Sequence, residues 1–362
     1  MTPDQRNIKA KKFVSEWLIK GRDFSPPAEV MATLSEAQRV LTDLIPIKSK
    51  GFRGVVLTAI VGMELDPTYS PLIDFYDCNP RAIFEQGIFY ALQDALIPCG
   101  KSDPLNVAKN IQKLDYDWAR RRRPESAAMA VVNYLKLLDK ARDNPTHYTN
   151  LLLLYFHELY LYGQYVKSLY VPMQQNTNTA PLEMGEKFAK FTTDCPEGGS
   201  VPQFIVGHLL NLLREHDLKV ATVEGYEESV FGTNTTSKKP ADIWEVLTDG
   251  TIGTLYEVTV KQIDKKRLDD IVDATIGQTW EDRPVTFICN LPRDITSLGI
   301  LKPFITYREK HFQFLDIQHF VRITYSLLND EQRVRFNAFV DVFVSDVNRD
   351  VATKQYWSTN FS

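Results

Sequence analysis

Asp242, Glu257 and Lys261 are the residues of this chain whose types and spacing suit a chemical reaction. Two carboxylates brought together hold a hard divalent cation such as Mg²⁺. A lysine beside them stabilises charge that develops on phosphate oxygens. The turn between them predicts that they meet. Asp249-Gly250 is a strong hairpin signal, flanked by apolar and β-favouring residues within the run from Lys238 to Lys261. A two-residue turn pairs Thr248 with Thr251, and counting outward then pairs Asp242 with Glu257. Directly opposed residues share a face, with Cβ atoms roughly 4.5–5.5 Å apart. Like charges so placed repel, and the register is unfavourable unless a cation lies between them. Lys261, four residues past Glu257, falls on the same face.

This pattern points to metal-dependent phosphodiester hydrolysis. Asp242 and Glu257 are the expected ligands of Mg²⁺, with the backbone carbonyl of Val258 as a third, since hard ions accept carbonyl oxygens. Along an extended strand Lys261 lies roughly 13 Å from Glu257 by Cα rise. A bulge or strand end near Val260 re-aims it. Alternatively Thr259 holds the water and Lys261 binds a phosphate.

The elements that must position these residues are legible in the hydropathy pattern. Apolar residues recur at helical spacing in Phe13–Ile19, Val40–Ile47, Val55–Val61, Ile83–Leu96 and Ala127–Leu138. Proline and Asp/Asn breakers such as Asp66-Pro67, Asn79-Pro80, Asp103-Pro104 and Asn144-Pro145 separate them. The apolar stretch Leu151 to Val166, interrupted by His157, Glu158 and Gln164, reads as a buried helix rather than a membrane span. The polar, proline-bounded segment Pro172–Pro181 is the expected boundary between a helical region, residues 1–175, and a second region, 182–362. In the second region Ser200 is a candidate cap for a helix with Pro202 in its first turn and Phe204 to Leu213 on its apolar face. Leu218–Val223 reads as a strand, then Gly225–Lys239 as a polar loop before the hairpin. A charged helix (about 264–276), the strand Val285–Cys289 and a helix near Glu331–Val344 follow. Strands alternating with helices imply an α/β fold with a mixed sheet.

The pattern Pro-Ala-Asp242, a hairpin, then Glu257-Val-Thr-Val-Lys261 resembles the PD-(D/E)xK nuclease superfamily. More narrowly it is similar to type II restriction endonucleases of the SacI family, which pair a Pro-Gly-Asp with a Glu-Val-x-x-Lys. Leu65-Asp66-Pro67, Tyr76-Asp77 with Arg81, and Gly100 to Pro104 look like that family's N-terminal segments, in the same order. The resemblance implies a mixed-sheet nuclease core flanked by helices, and Mg²⁺-dependent cleavage of double-stranded DNA at a short specific sequence. It carries Asp242, Glu257 and Lys261 over as catalytic positions. Ala241 stands where the family has glycine, and Thr259 stands where the superfamily usually has its lysine. The usual lysine place is thus filled by Lys261 or by Thr259, with Lys261 the preferred electrophile. A palindromic target favours a two-fold homodimer. Rival readings are another nuclease of the superfamily, for repair or structure-selective cleavage, and a non-enzymatic DNA-binding protein with a structural acidic hairpin.

Composition bounds these readings. With 42 Lys+Arg against 46 Asp+Glu the chain is no polycation, so positive charge for nucleic acid must be local. Cys78, Cys99, Cys195 and Cys289 form no CxxC pair, and the histidines lack finger spacing, which argues against structural zinc. Scattered thiols and a start without an apolar leader fit a cytoplasmic protein. The basic run Arg120, Arg121, Arg122 and Arg123 is either a clamp for DNA phosphates or a solvated helix end paired with Asp115, Asp117 and Glu125. Asn234, Thr236, Lys238 and Lys239 precede the hairpin and are candidate DNA contacts. Lys265, Lys266 and Arg267 read as surface charges, with phosphate contact as the alternative, and His208 as a core or hydrogen-bonded histidine.

Overall fold

The computed structural model describes residues 2–174, 179–227 and 239–362. The chain forms two compact units, Met1–Leu169 with Asp346–Asp350, and Tyr170–Ser345 with Val351–Ser362. It passes from one to the other at 169–170, just before the segment 172–181, and a short C-terminal stretch belongs to the first unit.

The first unit is helical: α1 (Pro3–Arg22), α2 (Ala28–Thr33), α3 (Ser35–Leu44), α4 (Gly51–Leu65), α5 (Pro80–Ile83), α6 (Phe89–Asp94), α7 (Asp103–Ala108), α8 (Tyr116–Arg120), α9 (Glu125–Lys140) and α10 (Pro145–Ser168). Their apolar faces make one core, in which α4 is buried from Gly51 to Met63. Arg53 is tolerated there because its guanidinium donates to the carbonyls of Ile45, Ile47 and Pro98, each at 3.0 Å. No helix among the described residues is long and apolar enough to cross a membrane.

The second unit is α/β. Helices α11 (Pro181–Asp194) and α12 (Ser200–Arg214) lead into strands β1 (Val220–Glu224), β2 (Ile243–Leu247) and β3 (Ile252–Val258). Helix α13 (Lys265–Thr275) crosses to β4 (Val285–Cys289), and the hairpin β5 (Phe304–Tyr307) and β6 (Lys310–Asp316) follows. Helices α14 (Ile317–Leu327), α15 (Asp330–Ser345) and α16 (Val351–Asn360) close the unit. The strands form one mixed sheet in the order β1-β2-β3-β4-β6-β5. β3, β4 and β6 run parallel and the outer pairings are antiparallel. β4 is buried at all five positions, as expected for a strand covered on both faces. Ile243, Tyr256, Val258 and Ile288 pack with α11, α12, α14 and α15. Trp244, Leu255, Phe287 and Phe314 pack with Leu268 and Val272 of α13 on the other face.

Two local expectations need correction. Helix α12 is not capped by Ser200. Gly199 holds the cap position with φ 116°, and the Ser200 hydroxyl donates back to the Glu197 carbonyl at 3.0 Å. Left-handed backbone there suits glycine. The hairpin turn is also longer than a two-residue turn. The Leu247 N–H donates to the Thr251 carbonyl at 2.8 Å, and the Gly250 N–H to the Leu247 carbonyl at 2.9 Å, with Gly250 at φ 81°. This is a three-residue loop with a left-handed glycine. Taken alone it would move every outward pair by one residue. A bulge between Trp244 and Val246 cancels the shift, because Gly253 and Thr254 on β3 stand opposite Glu245 alone. Beyond it Trp244 pairs with Leu255 and Ile243 with Tyr256, so the ladder leads on to Asp242 beside Glu257.

Candidate active site

The site lies where β2 begins and β3 ends, in the second unit. Asp242 immediately precedes β2, and its Oδ2 accepts the Val258 N–H at 3.0 Å. This bond holds one carboxylate oxygen and leaves the other available. In an extended strand the N–H and C=O of one residue point to the same side. The Val258 carbonyl therefore points toward the Asp242 side, while the Thr259 N–H donates the other way, to the Ile288 carbonyl at 3.0 Å. The first-turn residue Gln203 of α12 holds the Asp242 backbone from the opposite side. Its Nε2 donates to the Gly225 carbonyl at 2.8 Å and reaches the Asp242 carbonyl at 3.5 Å. Gly225, at φ 92°, has no space for a side chain: a Cβ would lie 2.5 Å from the Asp242 carbonyl oxygen.

β3 stops at Val258, and a turn replaces the extended path assumed for Lys261. The Thr259 Oγ1 accepts the Lys261 N–H at 3.1 Å, a hydroxyl-stabilised turn. The carbonyl of Val260 accepts from Arg293 Nη2 at 3.0 Å, which fixes the turn from outside. Lys261 is thereby exposed at the rim of a cavity of about 160 Å³. Gly198, Gly199, Gln203, Asp242 and Val258 line the same cavity. The N-terminal end of α12, the positive end of its dipole, thus borders a space that holds a carboxylate.

Glu257 is only 4 % exposed, and a charge so buried requires a partner. Arg267 of α13 is one: its Nη2 lies 3.2 Å from Glu257 Oε2, and its Nη1 donates to Thr259 Oγ1 at 3.1 Å. Asp264 caps α13 by accepting the Arg267 N–H at 2.9 Å, and the guanidinium lies 5.6 Å from the centre of the Phe287 ring. Burial pushes the Asp242 carboxyl above the ordinary aspartate range, while the Val258 N–H, Arg267 and Lys239 pull in the opposite direction. Lys239, half-buried, thus acts electrostatically on the site.

Asp242, Val258, Thr259 and Lys261 therefore gather at one cavity, with Glu257 held beside them through Arg267. Asn234, Thr236 and Lys238 lie outside the described residues. Arg120–Arg123 belong to the first unit, where Arg120 pairs with Asp117 at 2.8 Å and Arg123 Nη1 donates to the carbonyls of Arg120 and Arg122. Reading Arg267 as a surface charge missed its place. The signal was present: Leu268, Ile271, Val272 and Thr275 form the inward stripe of α13, and Arg267 lies one turn before Ile271 on its edge. Among the described residues no three His, Cys, Asp or Glu side chains gather as a cation site, so a metal here would rest on two carboxylates, a backbone carbonyl and water. That donor set is all oxygen, which fits Mg²⁺ better than zinc. No protein-family model matches the sequence, and no curated protein matches it.

Proposed function

We propose that the protein is a Mg²⁺-dependent nuclease that cuts double-stranded DNA at a specific sequence, a type II restriction endonuclease of the SacI family within the PD-(D/E)xK superfamily. The observation that supports this reading is a ladder that leads on to Asp242 beside Glu257 at the end of β3, with Asp242 and Lys261 lining one cavity. Arg267 offsets the charge of Glu257 alone, and Asp242, held by the Val258 N–H, adds a second acidic group that a divalent cation would balance. In this reading Asp242, Glu257 and the Val258 carbonyl hold Mg²⁺. When bound, the metal polarises the phosphate and lowers the pKa of an attacking water. The chain's own groups do the rest. The Val258 N–H orients the Asp242 carboxylate, and Gln203 fixes the backbone behind it. The turn at Thr259 presents the Lys261 ammonium to phosphate oxygens. Lys239, Arg120–Arg123 and the segment containing Asn234, Thr236 and Lys238 serve as DNA contacts in this reading. In this reading a palindromic target favours a homodimer, and the free thiols favour the cytoplasm.

The test is digestion of plasmid DNA with and without Mg²⁺, followed by mapping of the ends. Discrete bands that require Mg²⁺ and vanish in Asp242→Ala support the reading. A wild-type protein that cuts no DNA, or an Asp242→Ala protein that still cuts, overturns it. Smeared products point instead to a non-specific or structure-selective nuclease, and a metal-independent mobility shift without cleavage to a DNA-binding protein.

A further inference from the structure

The strand position two residues beyond Glu257 is occupied by a neutral threonine, so β3 does not itself bring a cation close to that carboxylate. A cation is nevertheless there. We propose that Arg267, delivered from helix α13, is the group that meets the substrate phosphate, with Thr259 serving as its perch. The proposal rests on the nuclease reading above and names the electrophile of that site.

Three features of Arg267 support this role. Its position is fixed before any substrate arrives: the Asp264 carboxylate holds its N–H, and Glu257 and Thr259 each accept from one arm of the guanidinium. Preorganised donors stabilise developing charge without reorganising at the moment of reaction. Next, a guanidinium has five N–H donors, and these two contacts use one on each terminal nitrogen. The side chain, 29 % exposed, lines the cavity together with Asp242 and Lys261, so it can keep its perch and still donate to an anion. Finally, Lys261 contrasts with it. Lys261 is exposed at the rim, and its described hydrogen bond is made by its backbone N–H. A flexible ammonium loses more side-chain freedom per hydrogen bond than a planar fork already in place.

In the reaction a water oxygen forms a bond to phosphorus and releases one proton to solvent, while the bond from phosphorus to the leaving deoxyribose oxygen breaks and that oxygen takes up a proton from solvent. The added negative charge collects on the non-bridging oxygens, and Arg267 donates hydrogen bonds to them. No proton leaves Arg267, whose guanidinium stays charged throughout. Lys261 then acts on a neighbouring phosphate or on the outer face of the same one.

The experiment is single-turnover cleavage of a DNA that the wild type cuts, at saturating Mg²⁺, with wild type, Arg267→Ala, Arg267→Lys and Lys261→Ala. Arg267→Ala is expected to slow cleavage by about 10²–10³-fold, the effect of removing one preorganised donor. Arg267→Lys should regain part of that loss, added guanidinium should raise the rate of Arg267→Ala, and Lys261→Ala should lose about tenfold or less. Calorimetric titration with Mg²⁺ gives a readout independent of cleavage: Arg267→Ala should bind the metal at least as tightly as wild type, because a cation competing for Glu257 is gone. Melting temperatures of both Arg267 variants verify folding. The assignment is overturned if Arg267→Ala cuts within about threefold of wild type. It is equally overturned if the loss disappears on raising Mg²⁺, since Arg267 would then only hold a metal ligand. Wild-type protein that cuts no DNA overturns the nuclease reading itself, an outcome distinct from either.

Discussion

His208 offers a stability prediction that depends on no assumption about function. Its ring is 4 % exposed on α12, stacked 4.7 Å from Phe339 and packed against Phe204 at 4.2 Å and Tyr226 at 4.7 Å. Neither ring nitrogen has a hydrogen-bond partner among the described residues. Burial alone pushes its pKa down to about 4 from 6.5. A lowered folded value means that, between pH 6.5 and 4, the unfolded chain holds a proton that the folded chain refuses. Stability is therefore complete above pH 6.5 and is lost as the pH falls through that window. Integrating the difference in proton binding gives a loss of about 2 kcal/mol between pH 7 and pH 5. His208→Phe keeps a flat ring among the same aromatics and removes the titration. Whatever the substitution does to packing applies equally at both pH values and drops out of the difference. Hydrogen exchange read peptide by peptide over α12, at pH 7 and 5 after correction for intrinsic rates, isolates the unit that carries the histidine. Wild type should lose about 2 kcal/mol more protection than His208→Phe on acidification. Equal losses in the two proteins would refute the account of a buried imidazole that stays neutral in the folded chain.

Glu245→Ala should lower the melting temperature of the second unit. It removes a carboxylate that is 3 % exposed and accepts from Arg214 at 2.8 Å and from the Tyr256 hydroxyl at 2.9 Å. The expected loss is about 2 kcal/mol, below the roughly 3–5 kcal/mol of a fully buried pair, because Arg214 is a third exposed and can rehydrate. Gly207→Ala should destabilise the same unit by about 1–3 kcal/mol in a urea titration, since its new methyl would run into the Tyr226 side chain.

Much of this architecture is legible in the sequence, and the exceptions have physical reasons. The strand Val285–Cys289 coincides with β4 because a run of apolar, β-favouring residues between breakers has no competing helical reading. Asp264 announces α13 as an N-cap. By contrast the β5–β6 hairpin turns through Arg308 and Glu309, both at positive φ (49° and 65°), where such turns usually have Asn or Gly. Arg308 is held there by Asp269 and Asp273, residues some 35 to 40 positions away that no local pattern connects to it. Helix α16 is similarly hidden, its short polar sequence taking shape around the buried Trp357. At the site, residue types and the turn signal were enough to bring Asp242 toward Glu257, but turn length and bulge were not legible separately, because their effects on the count cancel. Arg267 follows two lysines and so reads first as solvent-facing; its place beside Glu257 emerges only once the helix's inward stripe is traced.

The bulge opposite Glu245 has a consequence for how this hairpin tolerates change. Side chains alternate between faces, so pairing has a parity, and one added or missing residue inverts everything beyond it. The three-residue loop by itself is out of phase with the site and would send Asp242 and Glu257 to opposite faces of the sheet. The extra residue at Gly253–Thr254 restores the phase, as a second frameshift restores a reading frame. Glu245, buried against Arg214 and Tyr256, sits where that correction is made. Its two oxygens accept from Tyr256 and, at 3.4 Å, from the Thr254 N–H within the bulge itself. Glu245 thus works at a distance from the cavity: it holds the strands in phase. By the same parity a single-residue change, in the turn or inside β3, separates the two acids unless a second change compensates it.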